Sequence, residues 1–353
     1  MNVPKLRFKE FNDEWCKEYA GNLCSIQTGK SNTQDKTDDG IYPFYVRSPI
    51  IEKSHKFIFD TEAVLTVGDG VGVGKVFHYI NGKFDCHQRV YMMNNFNKIT
   101  AKYFYYIFSR DFDKRVMKMT AKTSVDSVRY EMIDKMQIFY PTVLEQNKIS
   151  RTLELLDKKI ELQSKKIEDL KLFKLSIKNN IFKSFDKEQR KSIEELLEFE
   201  QPTKYIVKSE EYTDNRDDIP VLTANKAFIL GYCKEGDFYN KECIIFDDFT
   251  LDMKYVNFAF KVKSSAIKIL TPKENINIKY IYEYMQFLNL HSEEHKRHYI
   301  SIVQKIQIPV PIFEIQNKIA TQLNCFDSKI ELENNKLLKL TELKKGLMQS
   351  MFV

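Results

Sequence analysis

Residues 141–182 read PTVLEQNKISRTLELLDKKIELQSKKIEDLKLFKLSIKNNIF, and residues 311–352 read PIFEIQNKIATQLNCFDSKIELENNKLLKLTELKKGLMQSMF. The two stretches are one plan written twice, 170 positions apart. Pro141 matches Pro311, and Gln146-Asn147-Lys148-Ile149 matches Gln316-Asn317-Lys318-Ile319. Asp157, Lys159, Ile160, Glu161 and Leu162 recur as Asp327, Lys329, Ile330, Glu331 and Leu332. In the first copy apolar side chains fall at Ile149, Leu153, Leu156, Ile160, Ile167, Leu170, Ile177 and Ile181, an alternation of four and three that marks a heptad seam. In the second they fall at Ile319, Leu323, Phe326, Ile330, Leu337, Leu340, Leu347 and Met351. The interruptions are polar in both copies, Gln163 with Glu333 and Lys174 with Lys344. Beyond its opening proline neither stretch contains another, so each predicts an unbroken helix of roughly 55–60 Å at about 1.5 Å per residue. Two helices carrying one stripe each are expected to pair along it. In an antiparallel pair Gln163 and Glu333 sit near the middle, where they can either pair across the axis and fix register or both point to solvent at a loose layer. Thr142 with Glu145 predicts a capping box at the first start, where the second copy has Ile312 and Ile315 instead.

The segments ahead of the helices repeat less strictly. Lys102-Tyr103-Phe104-Tyr105-Tyr106-Ile107-Phe108 resembles Lys279-Tyr280-Ile281-Tyr282-Glu283-Tyr284-Met285, and Met136-Gln137-Ile138 echoes Ile306-Gln307-Ile308. Strands are expected at Ile41–Val46, Ala63–Val67, Lys75–Tyr79, Arg89–Met93, Cys243–Phe246, Tyr255–Val262 and Ala266–Leu270, which are rich in β-branched and aromatic residues. The reading is an α+β chain: mixed domains at 1–140 and 183–310, separated by helices at 141–182 and 311–353 that form an antiparallel coiled coil with pseudo-two-fold symmetry.

Fifty-five Lys and Arg against 49 Asp and Glu give a net charge of +6, and 13% of residues are aromatic, a mildly basic balance that suits a polyanionic partner. Cysteines 16, 24, 86, 233, 243 and 325 form no CxxC pair, which reads as reduced thiols in a cytoplasmic protein rather than a disulfide or zinc framework. No apolar run has membrane-spanning length, and MNVPKLRFKEF is not a signal sequence, so no membrane partner is expected.

Chemistry-bearing motifs fail on spacing. Gly68-Asp69-Gly70-Val71-Gly72-Val73-Gly74-Lys75-Val76 misses GxxxxGK[ST] at its first glycine and its final hydroxyl, and misses GxGxxG, so it reads as a hairpin connection. His291-Ser292-Glu293-Glu294-His295 matches HxxEH, but it runs on into Lys296-Arg297-His298 without a peptidase framework. Asp247-Asp248 with Asp252 and Lys254 suggests a magnesium nuclease only as a short run of common residue types. A Walker motif, a base-flipping Asn-Pro-Pro-Phe motif and a nucleophilic triad are absent from the sequence. The residues favour a non-catalytic binding protein with no metal or cofactor of its own.

Pro4-Lys5-Leu6-Arg7-Phe8 with Trp15, Gly29-Lys30, and the Pro-x-x-x-x-Gln-Asn-Lys-Ile starts of both long helices give the chain, along essentially its whole length, a resemblance to the specificity subunit of bacterial type I restriction-modification systems. The resemblance implies two target-recognition domains, each reading one half of a split double-stranded DNA site, with the helices as the ruler between them. It implies as partners two methyltransferase (modification) subunits and the endonuclease/translocase (restriction) subunits. S-adenosylmethionine, ATP and magnesium then belong to those partners. Within that reading the candidate DNA-binding residues are Lys30, Arg47, Lys75, Arg89 and Lys122 in the first domain and Asn225, Lys226, Lys254 and Arg297 in the second. Two rivals stand beside it: a structural spacer joining protein partners without DNA, and a metal-dependent nuclease or hydrolase using Asp252 and Lys254 or His291 and His295.

Overall fold

The chain divides into two units, Met1–Ser164 with Lys336–Val353 and Lys165–Asn335, so each unit contains part of both long helices. The computed structural model describes residues 3–70, 72–119, 127–185, 188–208, 212–224, 228–291 and 296–353. In the first unit the order is β1 (Cys16–Tyr19), α1 (Ala20–Leu23), β2 (Ser25–Thr28), β3 (Tyr42–Tyr45), β4 (Ile51–Ser54), β5 (Phe59–Val67), β6 (Phe77–Cys86), β7 (Val90–Asn94), α2 (Ala101–Met119), α3 (Tyr130–Asp134), β8 (Gln137–Tyr140) and the start of α4 (Val143–Lys183). The second unit contains β9 (Arg190–Ser192), α5 (Ile193–Leu196), β10 (Leu197–Glu200), β11 (Ile219–Leu222), β12 (Ile229–Cys233), β13 (Cys243–Asp247), β14 (Met253–Val256), β15 (Lys261–Val262), β16 (Ile267–Pro272), α6 (Ile278–Phe287), β17 (Gln307–Pro309) and the start of α7 (Phe313–Ser350).

The internal repeat extends to every sheet. In the first unit strands pair as β2-β7-β5-β6, β6 continues in parallel onto β3 and then β4, and β1 pairs with β8. In the second they pair as β10-β16-β13-β14, β15 lies parallel to β11 and then β12, and β9 pairs with β17. The long β6 is thus represented by two short strands, β14 and β15. The single strand expected over Tyr255–Val262 is broken because the chain leaves one sheet for the other at exposed Asn257 and Phe258. The strand expected from Lys75 begins only at Phe77, since Lys75 and Val76 belong to the glycine turn and donate their N–H groups to Gly72 O.

A buried glutamine fixes each junction of strand and long helix. Gln146 Oε1 accepts from Thr100 N at 2.8 Å, and its Nε2 donates to Lys98 O at 3.0 Å and Pro141 O at 2.9 Å. Gln316 repeats the motif, accepting from Asn277 N at 2.9 Å and donating to Pro311 O at 2.8 Å. Tyr103 and Tyr280, both fully buried, donate their hydroxyls to Phe139 O and Pro309 O, each at 2.9 Å. The expected capping box does not form in the way the sequence suggested. The Glu145 carboxylate is taken by Arg7, Nε to Oε1 and Nη2 to Oε2, both at 2.8 Å.

The apolar stripes serve the domains as well as the helices. Ile149 and Leu153 belong to the core of the first unit with Tyr103, Met132 and the far end of α7 at Met351 and Phe352. Ile319 and Leu323 belong to the core of the second with Tyr280 and the far end of α4 at Phe182. Leu156, Ile160, Leu337 and Leu340 in the first unit are half-buried, as are Leu170, Phe326 and Ile330 in the second, where Ile167 is buried. Gln163 is half-buried in the first unit, and buried Glu333 in the second accepts Lys166 Nζ at 3.0 Å.

The lysines that interrupt the stripes show that the helices run antiparallel within each unit. In the first, Lys344 pairs with Asp157, which also accepts the Tyr106 hydroxyl at 2.8 Å. In the second, Lys174 Nζ lies 2.6 Å from Asp327, which also takes Lys279 at 2.8 Å. Glu283 stands where the first unit has Tyr106, and it gathers Lys174 at 2.9 Å, Lys279 at 3.0 Å and Lys178 at 3.6 Å. Glu283 is buried among its three lysines, whereas Asp157 and Asp327 remain partly exposed.

Two outcomes follow. Gln146→Ala removes a buried side chain that satisfies the part-buried Thr100 N–H and Lys98 carbonyl and the buried Pro141 carbonyl, and is expected to cost roughly 2–4 kcal/mol, against less than about 0.5 for exposed Asn147→Ala, read by urea unfolding. Burial pushes the Asp327 carboxyl up, but hydrogen bonds from Lys174 and Lys279 outweigh it and hold the group below the usual carboxylate value. Its stabilisation is therefore complete above that usual value, about 3.9, and is lost as pH falls through the lower folded value. The stability difference between wild type and Asp327→Asn should hold steady above about pH 5 and shrink below about pH 4; a difference independent of pH would refute the assignment.

Candidate nucleic-acid interface

Because β3 and β6 run parallel, their final residues Tyr45 and Cys86 open onto one edge of the first unit. Backbone hydrogen bonds weave the following loops together there. His87 N donates to Tyr45 O at 2.9 Å, Ser31 N to Cys86 O at 3.3 Å, Gln88 N to Ser31 O at 2.9 Å and Gly68 N to Arg89 O at 2.7 Å. Two glycines permit the close approach: a Cβ on Gly29 would stand 2.1 Å from Cys86 O, and one on Gly68 would stand 2.6 Å from Arg89 O. Beneath the edge, the Asp85 carboxylate accepts Ser31 Oγ at 2.7 Å and Cys86 N at 2.8 Å.

On this frame two arginines approach one carboxylate. Arg47 Nη1 lies 3.3 Å from Asp69 Oδ1, and Arg89 Nε lies 3.9 Å from Asp69 Oδ2. The glycine turn linking β5 to β6 holds Lys75, and its Gly72 abuts the Arg47 carbonyl. Gly70 and Gly74 in that turn have φ of +79° and +71°, which glycine tolerates best. Lys30, Arg47, Lys75 and Arg89 are all exposed, Lys75 in the turn whose Gly72 lies beside Arg47, whereas Lys122 lies outside the described residues. Sequence reasoning missed three neighbours, Asn32, His87 and Gln88, which carry no motif and are placed only by the pairing of β3 with β6. His87 is buried; its Nδ1 accepts Arg89 N at 3.0 Å, which fixes the neutral imidazole with its proton on Nε2.

The second unit repeats three of the four bonds of this weave. Lys263 N donates to Leu222 O at 3.1 Å, Val207 N to Val262 O at 3.0 Å and Asp248 N to Ala266 O at 3.0 Å. Lys263 therefore occupies the place of His87, and Phe249 that of Asp69. Exposed Arg297 lies over the Phe249 ring at 5.8 Å, and Lys263 lies over Tyr212 at 5.1 Å. Lys263 was not among the expected residues; the repeat, extended into the loops, is the signal that finds it. Lys254 is not a loop residue: it is half-buried within β14 opposite Ile245. Asn225 and Lys226 lie outside the described residues.

Asp247, Asp248 and Asp252 are already committed to the loops of this unit. The Asp247 carboxylate accepts Phe249 N at 2.9 Å and Thr250 N at 3.0 Å, and Asp252 accepts Thr250 Oγ1 at 2.9 Å. Asp248 accepts His298 N at 3.0 Å and Tyr299 N at 2.7 Å and pairs with buried Lys268 at 3.3 Å. Among the described residues no group of three His, Cys, Asp or Glu is arranged to hold a metal ion, and no helix is long and apolar enough to cross a membrane. The exposed His291 ring sits 3.0 Å from Asn289 O, while His295 lies outside the described residues.

A family model described as the type I restriction modification DNA specificity domain matches residues 12–172 and again 185–342. The chain is similar to the specificity subunit of the Escherichia coli type I restriction enzyme EcoR124I/EcoR124II, with 45% identity over 125 residues, 33% of this chain and 31% of that relative. It is also similar to the Escherichia coli EcoDI specificity subunit, with 25% identity over 157 residues, 44% of this chain and 34% of that relative. The matched regions thus span about a third of each curated relative. Among solved structures, the S subunit of a type I restriction-modification system from M. genitalium shares the fold, with a TM-score of 0.74 at 18% identity over 99% of both chains. A chain from a structure of type I restriction-modification complex assembly and conformational transition superposes with a TM-score of 0.56 at 12% identity over 98% of this chain and 99% of that one.

The electrostatics of the first edge are open to measurement. Burial, and after it the charge of Arg47, lowers the His87 imidazole from its usual value, with Asp69 opposing and Arg89 adding to the fall. A base held low in the folded state remains neutral where the unfolded chain gains a proton, so this group costs stability as pH falls below about 6.5. In an NMR titration His87 should titrate below that value, higher in Arg47→Ala and lower still in Asp69→Asn. A value at or above the usual one, unmoved by either change, contradicts this geometry.

Proposed function

Given that the chain belongs to the type I restriction modification DNA specificity family, we propose that it is the DNA-recognising subunit of a type I restriction-modification complex. Each unit reads one half of a split double-stranded site through the loop edge beyond its parallel strand pair. The helices α4 and α7, each of which passes through both units, fix the unspecified gap between the halves. The observation that carries this reading is the repeated edge itself: one backbone weave occurs in both units, with Arg47, Arg89, Lys30 and Lys75 on the first and Lys263 and Arg297 on the second. Cationic side chains on loops beside exposed polar ones suit a duplex, since phosphates are held by charge and bases by oriented donors and acceptors.

In this proposal the chain performs no catalysis. Two methyltransferase subunits modify adenine with S-adenosylmethionine, and restriction subunits translocate and cut DNA with ATP and magnesium. The complex works in the cytoplasm, where its DNA lies. The engagement of Asp247, Asp248 and Asp252 in turns counts against the nuclease alternative.

The test is co-purification of the chain with its neighbouring methyltransferase, followed by mapping of methylated adenines in host DNA. A split motif with a fixed gap, lost when the chain is deleted, is the expected result. No partner and no change in methylation would replace this reading with the structural spacer. Substitution of a phosphate-holding residue such as Lys75 should weaken binding to all sequences and flatten its salt dependence.

A further inference from the structure

We infer that Gln88 reads an adenine in the half-site bound by the first unit, an assignment that rests on the proposed function. Gln88 is exposed in the loop between β6 and β7, yet its backbone is pinned on every side. Its own N–H donates to Ser31 O at 2.9 Å, His87 N donates to Tyr45 O at 2.9 Å, and Arg89 N donates to His87 Nδ1 at 3.0 Å. The Cα from which the side chain projects is therefore fixed by bonds that do not involve that side chain.

The amide is oriented as well. Gln88 Nε2 donates to Asn32 Oδ1 at 2.7 Å, and Asn32 is held in turn by its own N–H, which donates to Asp35 Oδ2 at 2.7 Å. With one Nε2 hydrogen spent on Asn32, the Gln88 amide retains one N–H and its carbonyl oxygen. That pair complements the N7 acceptor and N6 amino donor that adenine presents in the major groove. A long exposed glutamine ordinarily loses side-chain entropy on binding, and prior orientation by a second amide reduces that cost. A phosphate contact has no need of such orientation, because charge is less directional than a paired donor and acceptor.

The neighbours divide the labour. Arg47 and Arg89 lie on the same edge, 3.3 Å and 3.9 Å from Asp69, and both remain exposed. The equivalent loop of the second unit, Lys263-Ser264-Ser265-Ala266, carries no amide side chain. The adenine assigned to Gln88 therefore belongs to one half of the split site and has no counterpart reader at this position in the other.

The experiment is selection from a duplex library randomised across the site, using the full chain purified with its partner subunits, as wild type, Gln88→Ala and Asn32→Ala. Gln88→Ala should reduce discrimination for A·T at one position of one half-site on the order of tenfold or more, with the other half-site unchanged. Asn32→Ala should weaken the same position to a smaller degree, since it frees the amide without removing it. The unchanged half-site reports that each variant remains folded and bound. A wild-type motif that Gln88→Ala leaves intact, that it weakens equally for every sequence, or that it alters at a position other than A·T overturns the assignment while the proposed function stands. A wild type that selects no motif overturns the proposed function, and this assignment with it.

Discussion

The direction in which each long helix leaves its sheet rests on one buried amide. A helix N-terminus has N–H groups without intrahelical partners, and the connections beside it carry carbonyls that also need partners. Gln146 answers three such groups at once, on the segment before α2 and at the turn from β8 into α4, and Gln316 repeats the answer before α6 and α7. Both side chains are almost wholly out of solvent, where an unmet polar group is costly. With the junction set, Ile149 and Leu153, or Ile319 and Leu323, are aimed into the domain core within the first turns of the helix. Each domain therefore grips the beginning of one helix, and its core is completed by the far end of the other.

The same plan is realised with different charges in the two units, and the differences compensate one another. Tyr106 of the first unit answers to Glu283 of the second, and Met348 answers to Lys178. A carboxylate replacing a phenol in a nearly closed site needs another cation, and Lys178 supplies it within reach of Glu283. The unit with Tyr106 has methionine at that place. The shared element is the stripe-interrupting lysine on the facing aspartate, Lys344 on Asp157 and Lys174 on Asp327. A break in a hydrophobic stripe is here the fixed point of the pairing.

The helices were legible in the sequence because a repeat of Gln146-Asn147-Lys148-Ile149 and its stripe is long and periodic. The role of the glutamine was not, since nothing in a helical pattern says that a polar residue near its start faces inward to a neighbouring loop. Arg47 and Arg89 could be chosen as exposed cations, but their meeting at Asp69 depends on the parallel pairing of Tyr45 with Cys86. Such a contact joins residues far apart in the chain and leaves no local signature. Lys254 misled because a basic residue beside aspartates reads the same in a strand as in a loop, and its place opposite Ile245 is a property of the sheet. Lys263 could have been reached from the repeat, but its loop is one residue longer than the His87-Gln88-Arg89 loop, which hides the match from a fixed offset.

That extra residue shows how this architecture separates frame from message. The loops at both edges are held by main-chain bonds to strand-end carbonyls, Tyr45 and Cys86 in one unit and Leu222 and Val262 in the other. In the first unit Gly29 and Gly68 allow backbones to approach more closely than a Cβ permits, while in the second Asp248 donates the bond that matches that of Gly68. The positions between them, His87, Gln88 and Arg89 or Lys263, Ser264 and Ser265, are free of that duty except where a side chain supports its neighbour. A loop anchored by its backbone can exchange its outward side chains, or gain one residue, with little cost to the core beneath it. Two copies of one frame can then carry two unlike sets of polar groups, as the proposed reading of two unlike half-sites requires.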